Sequence, residues 1–267
     1  MPGDELSLSF TRTWEADKMP NSANGKDMRI SGAPDDLRSL YRVGAAASLI
    51  LLVYSLAMMV QMVVLGGQPT SAAQAFDLLQ HHRTVALLRL DLPTLCVMPL
   101  YYLLFLGLYA ALRKSDRATA LLSTTLAFAG LTLVLSTPTA LSMIPLSDRF
   151  AAATSDALRA QLLAAGEAIM AADIWHSTAA LLGGVLLQCG AVLISVVMLR
   201  GGVFSKTTAW LGIVMHGLDG AHILCGQFVP VSGFVLLAIA GPLYPVWFFL
   251  VGRRLFQLAS EMKTNKM

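Results

Sequence analysis

One apolar stretch of the chain carries three ionisable side chains. His216, Asp219 and His222 stand at positions i, i+3 and i+6 between Trp210 and Cys225. At about 100° per residue, this spacing spreads them over about 120° of an α-helix, so they share one broad polar face. Such a face suits a proton relay, a metal site or polar contacts to a small molecule. The structural alternative is that Asp219 hydrogen-bonds one of the histidines and the trio ties helices together.

A second set of polar residues flanks other apolar stretches. Arg89 and Asp91 precede one of them, and Asp173, Trp175 and His176 open another. Both aspartates suit helix N-caps, and the tryptophan suits an anchor at the membrane interface. The functional alternative is a single polar cavity that opens toward the outer side of a membrane. That cavity would be lined by Arg89, Asp91, Asp173, His176, His216, Asp219 and His222.

A metal centre is the weaker hypothesis for these residues. HxxDxxH is not a recognised zinc motif, and one helix cannot surround a tetrahedral ion. A divalent metal held by His176, His216, Asp219 and His222 stays open as an alternative. No other cofactor is predicted, because the sequence has no P-loop, no GxSxG, no HExxH and no CxxC. The cysteines Cys96, Cys189 and Cys225 are predicted to be buried free thiols.

The composition indicates what kind of element positions these residues. Of 267 residues, 56% are hydrophobic and 13% are charged, whereas soluble domains are about 25% charged. The apolar residues form runs of about 20 without alternation, the length of a membrane-spanning helix. Backbone in lipid must satisfy its own hydrogen bonds, which helices do. The predicted fold is therefore all-α, a polytopic transmembrane helical bundle of about six spans.

The predicted spans follow a hydrophilic start. A disordered cytoplasmic leader covers 1–41, the transmembrane domain 42–255 and a cytoplasmic tail 256–267. The spans are Val43–Leu65, Pro93–Leu112, Ala118–Pro138 (extending to Ile144 as an alternative), Ile174–Leu199, Thr207–Phe228 and Val231–Val251. Within them, prolines 99, 138, 242 and 245 are predicted to kink or end helices. Gln61 and Gln188 are predicted to donate hydrogen bonds between helices.

The two long linkers between the spans are also predicted to contain helices. Ala72–His82 and Ser155–Ala172 have helical spacing, so each is predicted to form a short helix at the outer surface.

No pair of broken helices is apparent in the two halves of the sequence, so an inverted-repeat transporter is not indicated. Of the 19 basic residues, only Arg83, Arg89, Arg149 and Arg159 fall on the outer side. This split predicts a multi-pass cell-membrane protein with both termini in the cytoplasm.

Three stretches resemble a known group of proteins. They are 173–200 (DIWHSTAALLGGVLLQCGAVLISVVMLR), 205–214 (SKTTAWLGIV) and 241–258 (GPLYPVWFFLVGRRLFQL). They resemble a prokaryotic six-span integral membrane family catalogued only as a domain of unknown function. The resemblance covers most of residues 40–258 and is one of layout, with short basic inner loops and a tryptophan early in the fifth span. It implies the fold and the membrane location, and it supplies no activity.

These observations together predict an integral membrane protein that is not an enzyme. Its polar cavity is expected to bind or pass a small molecule, and its other partner is the lipid bilayer. The net charge of +3 gives no reason to expect a nucleic-acid partner. Assembly into a homo-oligomer is an alternative that the sequence leaves open. The alternative function is an intramembrane metal-dependent hydrolase or transferase with a His/Asp centre.

Overall fold

The computed structural model describes residues 33–137 and 140–264, and helices are the only regular elements in those ranges. Twelve helices follow one another in these ranges. They are α1 (Ala33–Val64), α2 (Ala72–His81), α3 (Arg83–Arg89), α4 (Leu92–Val97), α5 (Leu100–Leu112), α6 (Arg117–Leu135), α7 (Ala140–Ala152), α8 (Asp156–Ala171), α9 (Thr178–Gly201), α10 (Lys206–Gly226), α11 (Pro230–Ala240) and α12 (Leu243–Thr264).

Within the described residues, five helical segments are long and apolar enough to cross a membrane. They are Asp36–Val64, Leu92–Leu112, Arg117–Leu135, Thr178–Gly201 and Val231–Met262. The chain is therefore an all-α, multi-pass integral membrane protein, which confirms the predicted fold class. Helix α10 has 21 residues, enough to cross, but it is not among the five segments. Its two histidines and its aspartate lower its hydropathy, so the sixth span stays a prediction.

The surface of the spans is apolar, as lipid requires. Val53 and Val60 of α1 are 63% and 62% exposed. Cys96, Cys189 and Cys225 are free thiols that are also exposed, so the prediction that they are buried is wrong. A thiol behaves as a small hydrophobic group, so a helix surface in contact with lipid suits it as well as a protein core does.

Helix α1 begins earlier than predicted. Residues 33–41 are helical, so the prediction of a disordered leader is wrong for that part, and the rest of the leader lies outside the described residues. Proline is favoured in the first turn of a helix, and acidic residues there offset the helix dipole. The sequence Pro34-Asp-Asp supplies both. At the other end of the chain, α12 continues to Thr264 and includes most of the predicted tail.

Two of the candidate spans are interrupted, which corrects the prediction that no pair of broken helices is present. The span from Leu92 consists of α4 and α5, separated at Met98 and Pro99. The last span consists of α11 and α12, separated at Gly241 and Pro242. Both breaks come at a proline that the sequence indicated as a kink, because proline lacks the N–H that continues a helix.

Glycines hold the long helices α6 and α9 close together. A Cβ on Gly130 would overlap the carbonyl oxygen of Gly183 and would lie 2.5 Å from the backbone nitrogen of Leu187. Further along the same contact, the Ser123 hydroxyl donates to the carbonyl oxygen of Gly190 at 2.8 Å. Small residues at such contacts let two backbones approach in lipid, where the hydrophobic effect does not drive helices together.

The two long linkers fold into a helical cap, which consists of α2, α3, α7 and α8. Its core contains Phe76 and Met143, and the ring of Phe76 lies 5.3 Å from that of Phe150. The Glu167 carboxylate of α8 accepts the backbone N–H of Ala72 at 2.7 Å and so caps the first turn of α2. This cap explains why the linkers are helical, since each helix buries an apolar side against the others.

The predicted linker helices match two members of the cap. Ala72–His82 corresponds to α2, and Ser155–Ala172 corresponds to α8. The extension of the third span to Ile144 is wrong, because α6 ends at Leu135 and residues 140–152 form α7. Helix α7 packs on α2 and α8 rather than continuing the span.

Candidate functional site

A polar network lies between α9, α10 and α12. The Asp219 carboxylate accepts hydrogen bonds from the Gln188 amide and the Tyr244 hydroxyl, both at 2.5 Å. The Gln188 carbonyl oxygen lies 2.6 Å from Nδ1 of His216. We call Gln188, His216, Asp219 and Tyr244 the Asp219 network. Gln188 is 8% exposed and His216 is 2% exposed, whereas Asp219 and Tyr244 are half-buried, so the network extends from the bundle interior toward its surface.

The hydrogen bonds fix where the protons of the network sit. An ionised carboxylate only accepts, so the NH2 group of Gln188 faces Asp219 and its carbonyl oxygen faces His216. His216 must then donate through Nδ1, which leaves Nε2 of the neutral ring as an acceptor. That Nε2 is buried and has no hydrogen-bond partner in the described part of the chain. An unpaired buried acceptor is costly.

Trp247 and Tyr244 surround the same histidine. The Trp247 ring meets the His216 ring edge to face, with centroids 5.0 Å apart, and the Tyr244 ring lies 5.4 Å away. The indole Nε1 of Trp247 is buried and likewise has no partner among the described residues. The faces of such aromatic rings attract cations. The site therefore combines a carboxylate, a free imidazole acceptor and two aromatic rings.

Asp219 has no fixed cation as its partner. No ion pair within residues 33–137 and 140–264 includes it, and both side chains that bind it are neutral. His222 interacts with it electrostatically, but Nδ1 of His222 lies 2.8 Å from the carbonyl oxygen of Gly233 on α11. In the described residues Asp219 makes no hydrogen bond to a histidine of its own helix, so that part of the structural alternative is wrong. The other part holds, because the trio ties α10 to its neighbours: Asp219 bonds α9 and α12, His216 bonds α9 and His222 bonds α11.

A second polar site lies where the cap meets the spans. The Asp91 carboxylate accepts the indole N–H of Trp175 at 2.7 Å and the side-chain amide of Gln68. Asp91 stands at the N-cap position of α4, as predicted, but it has a left-handed backbone with φ 68° and its side chain makes no cap hydrogen bond to α4. Arg89 donates to the carbonyl oxygen of Gly67 at 2.7 Å. These bonds fasten the start of the cap to the residues before α9.

Asp173 and His176 form a pair beside Asp91. One oxygen of Asp173 accepts the backbone N–H groups of Trp175 and His176 and lies 2.8 Å from Nδ1 of His176. The carboxylate therefore orders the turn that precedes α9, although the N-cap of α9 itself is Ser177. Both residues interact electrostatically with Asp91.

The predicted site residues thus separate into groups. His216 and Asp219 share the Asp219 network, His222 contacts α11, and the other four lie at the junction with the cap. In the described ranges, no three His, Cys, Asp or Glu side chains come close enough to hold a metal ion. The hypothesis of a metal bound by His176, His216, Asp219 and His222, and the enzyme that depends on it, therefore has no set of ligands there.

Besides His216 and Asp219, the sequence indicated Gln188 as a member of the network. It did not indicate Tyr244 or Trp247, the two aromatic residues of the site. Gln188 bonds between helices as predicted, and so does Gln61, which donates to the carbonyl oxygen of Leu88 at 2.9 Å. Tyr244 and Trp247 were missed, because aromatic residues near the end of an apolar span are typical of the membrane interface. Both lie near the start of α12, just after the break that follows α11.

The buried Asp91 makes the stability of the protein depend on pH. Burial, opposed by the hydrogen bonds from Trp175 and Gln68, raises the pKa of its carboxyl to about 6. The folded state then holds the proton more tightly than the unfolded state, so this contribution to stability is complete below about pH 4 and disappears as pH rises through 6. Thermal melts of wild type and Asp91→Asn at pH 4 to 7 test this.

Asparagine keeps the shape and the left-handed backbone of this position but does not titrate. We expect the stability of Asp91→Asn relative to wild type to increase with pH across this window, by at most about 3 kcal/mol. A difference between the two proteins that stays constant from pH 4 to 7 would contradict the prediction.

Comparisons of the chain with models of protein families, with curated proteins and with solved structures found no match. The resemblance to a six-span prokaryotic family therefore stays a prediction. What the site can do follows from its own geometry.

Proposed function

We propose that this integral membrane protein is not an enzyme and that it binds a small, positively charged molecule at the Asp219 network. The observation that carries the proposal is the Asp219 carboxylate itself, which is held inside the bundle by two neutral donors. A carboxylate withdrawn from water is costly unless it is paired. A ligand with a charged N–H group supplies that pairing.

The remaining features of the site fit the same ligand. The free Nε2 of His216 accepts a hydrogen bond from a second N–H of the ligand. The rings of Trp247 and Tyr244 contribute cation–π attraction, which is stronger where water is excluded. A neutral or anionic molecule would use fewer of these groups, so we expect the site to prefer cations.

The junction with the cap offers the ligand a polar route to the network. The Tyr54 hydroxyl lies 2.6 Å from that of Thr94 and near the Asp91 carboxylate. The Tyr101 hydroxyl lies near both Tyr54 and Asp219. Because these hydroxyl groups lie between the cap and the network, we propose that the ligand enters and leaves at the cap end.

The membrane location in detail is also a proposal. The basic residues between α5 and α6, between α9 and α10 and on α12 favour placing that end of the bundle in the cytoplasm. The cap then faces outward from the cell membrane, and the proposed ligand comes from outside. Membership of the six-span prokaryotic family would agree with this arrangement.

Ligand-dependent melts of purified protein test the proposal. Wild type is melted with primary ammonium ions and with neutral alcohols of matching size. A cation at 100 times its dissociation constant should stabilise wild type by about 2.7 kcal/mol. Asp219→Asn keeps the shape of the side chain and loses its charge, so we expect it to lose this stabilisation.

Asp77→Asn is the matched control, because Asp77 is 71% exposed in the cap. Its response to the cations should equal that of wild type. Neutral alcohols that stabilise wild type as strongly as the ammonium ions would refute the preference for charge. Equal stabilisation of wild type and Asp219→Asn, or none by any cation, would refute the binding site.

A further inference from the structure

A groove of about 750 Å³ runs along α1 and α12, away from the Asp219 network. Its apolar wall consists of Leu49, Phe249 and Phe256, and its polar residues include Arg253 and Gln257. Phe249 is 49% exposed and Phe256 is 42% exposed, so these rings lie open at the groove surface. A groove with apolar walls and one cationic group resembles the shape and polarity of a phospholipid.

Two adjacent arginines at this groove differ in their contacts. Arg254 donates through Nε to the carbonyl oxygen of Val203 at 2.7 Å and pairs with Glu261 at 2.8 Å. The Arg254 side chain is therefore already bound within the protein, and it neutralises Glu261 at the edge of the groove. Arg253 is exposed and lines the groove, and no hydrogen bond or ion pair to a described residue engages it. Its charge is therefore available to a ligand.

The groove lies at the end of the bundle where basic residues collect. Arg254 contacts the linker after α9 through Val203, and a Cβ on Gly201 in that region would overlap the Ser115 side chain of the linker after α5. These two linkers, the helix ends beside them and the start of α1 carry Arg38, Arg42, Arg113, Lys114, Arg117, Arg200 and Lys206. Such an end is attracted to a leaflet that contains anionic lipids.

The sequence of α12 places Arg253 at the depth of lipid headgroups. It is the first charged residue of the helix, after the apolar run from Leu243 to Val251. Phe249 lies one turn before it, at the depth of acyl chains. Gln257 lies one turn after it, toward water, and its amide is a hydrogen-bond donor. Basic pockets between spans at the cytoplasmic face are known to bind anionic headgroups.

We propose that this groove binds an anionic phospholipid of the leaflet at the basic end. The lipid phosphate pairs with Arg253 and accepts from Gln257, while an acyl chain lies along Leu49 and Phe249. Charge complementarity selects the occupant, because the groove offers an unpaired guanidinium and its single acid is neutralised by Arg254. This lipid site is independent of the proposed cation site: both use α12, but the groove is lined by Phe249, Arg253 and Phe256, whereas the network uses Tyr244.

Native mass spectrometry of the full-length protein in detergent tests the inference. Phosphatidylglycerol and phosphatidylcholine with identical acyl chains are added in equal amounts. We expect wild type to retain the anionic lipid about fivefold more than the zwitterionic one, because one basic residue near an anionic lipid contributes about 1 kcal/mol. Arg253→Gln should lose the preference, and Arg253→Lys, which keeps the charge, should retain it.

Arg117→Gln is the matched control, because Arg117 is exposed at the same end of the bundle and does not line the groove. It should keep the preference of wild type. Equal loss in Arg117→Gln and Arg253→Gln would show a diffuse surface attraction and overturn the site. Displacement of phosphatidylglycerol by glycerol phosphate at equal concentration would show an anion site that does not use the acyl chain, which also overturns it. A melt of each variant confirms that it is folded.

Discussion

Gly130→Ala is expected to destabilise the protein by about 3 kcal/mol, although alanine is the better helix former. The added methyl group would overlap the carbonyl oxygen of Gly183 and lie 2.5 Å from the backbone nitrogen of Leu187. Backbone atoms cannot rotate away as a flexible side chain can, so α6 and α9 must move apart. Their contact is the most extensive helix pair in the described part of the chain.

Gly217→Ala is the control for this experiment. Gly217 lies on α10, and a Cβ there has nothing within 4 Å. The same substitution should therefore be neutral or stabilise the protein by up to about 1 kcal/mol through helix propensity alone. Unfolding of both variants in mixed micelles measures the difference. Equal stability of the two variants would show that close contact at Gly130 does not hold α6 and α9 together.

Much of the fold was predictable because lipid leaves few choices. Runs of apolar residues long enough to span a bilayer must be helical, and five of them are present. The linker helices α2 and α8 were also predictable, because alanine- and leucine-rich segments with one apolar side form helices. Their assembly into a cap with α7 was not, since it depends on contacts such as Glu167 with Ala72 that join residues far apart in sequence.

The site was predictable only in part, for a related reason. An aspartate inside a span is conspicuous in the sequence because it is costly in lipid, and Asp219 was found in this way. Its partners were not found among its neighbours on α10. Gln188 and Tyr244 reach it from α9 and α12, and which faces of these helices meet is decided by tertiary packing. At Asp91, a proline-flanked aspartate looks like a cap, while its carboxylate in fact binds Trp175.

Gln188→Leu is expected to cost about 3 kcal/mol of stability or more, because it removes a hydrogen-bond partner from each of two polar groups inside the bundle. Asp219 loses one of its two donors, and Nδ1 of His216 loses its acceptor. Gln61→Leu is the matched control, since Gln61 makes one hydrogen bond, to the carbonyl oxygen of Leu88. The same change there should cost about 1 kcal/mol.

The double variant Gln188→Leu with Asp219→Leu separates the structural role of the network from the functional one. Removing both partners of a buried polar contact is less harmful than removing one. We therefore expect the double variant to recover about 1–3 kcal/mol relative to the sum of the single changes. It should fold and yet show no stabilisation by ammonium ions, because the carboxylate is absent. Strictly additive losses would mean that Gln188 and Asp219 do not act as one network.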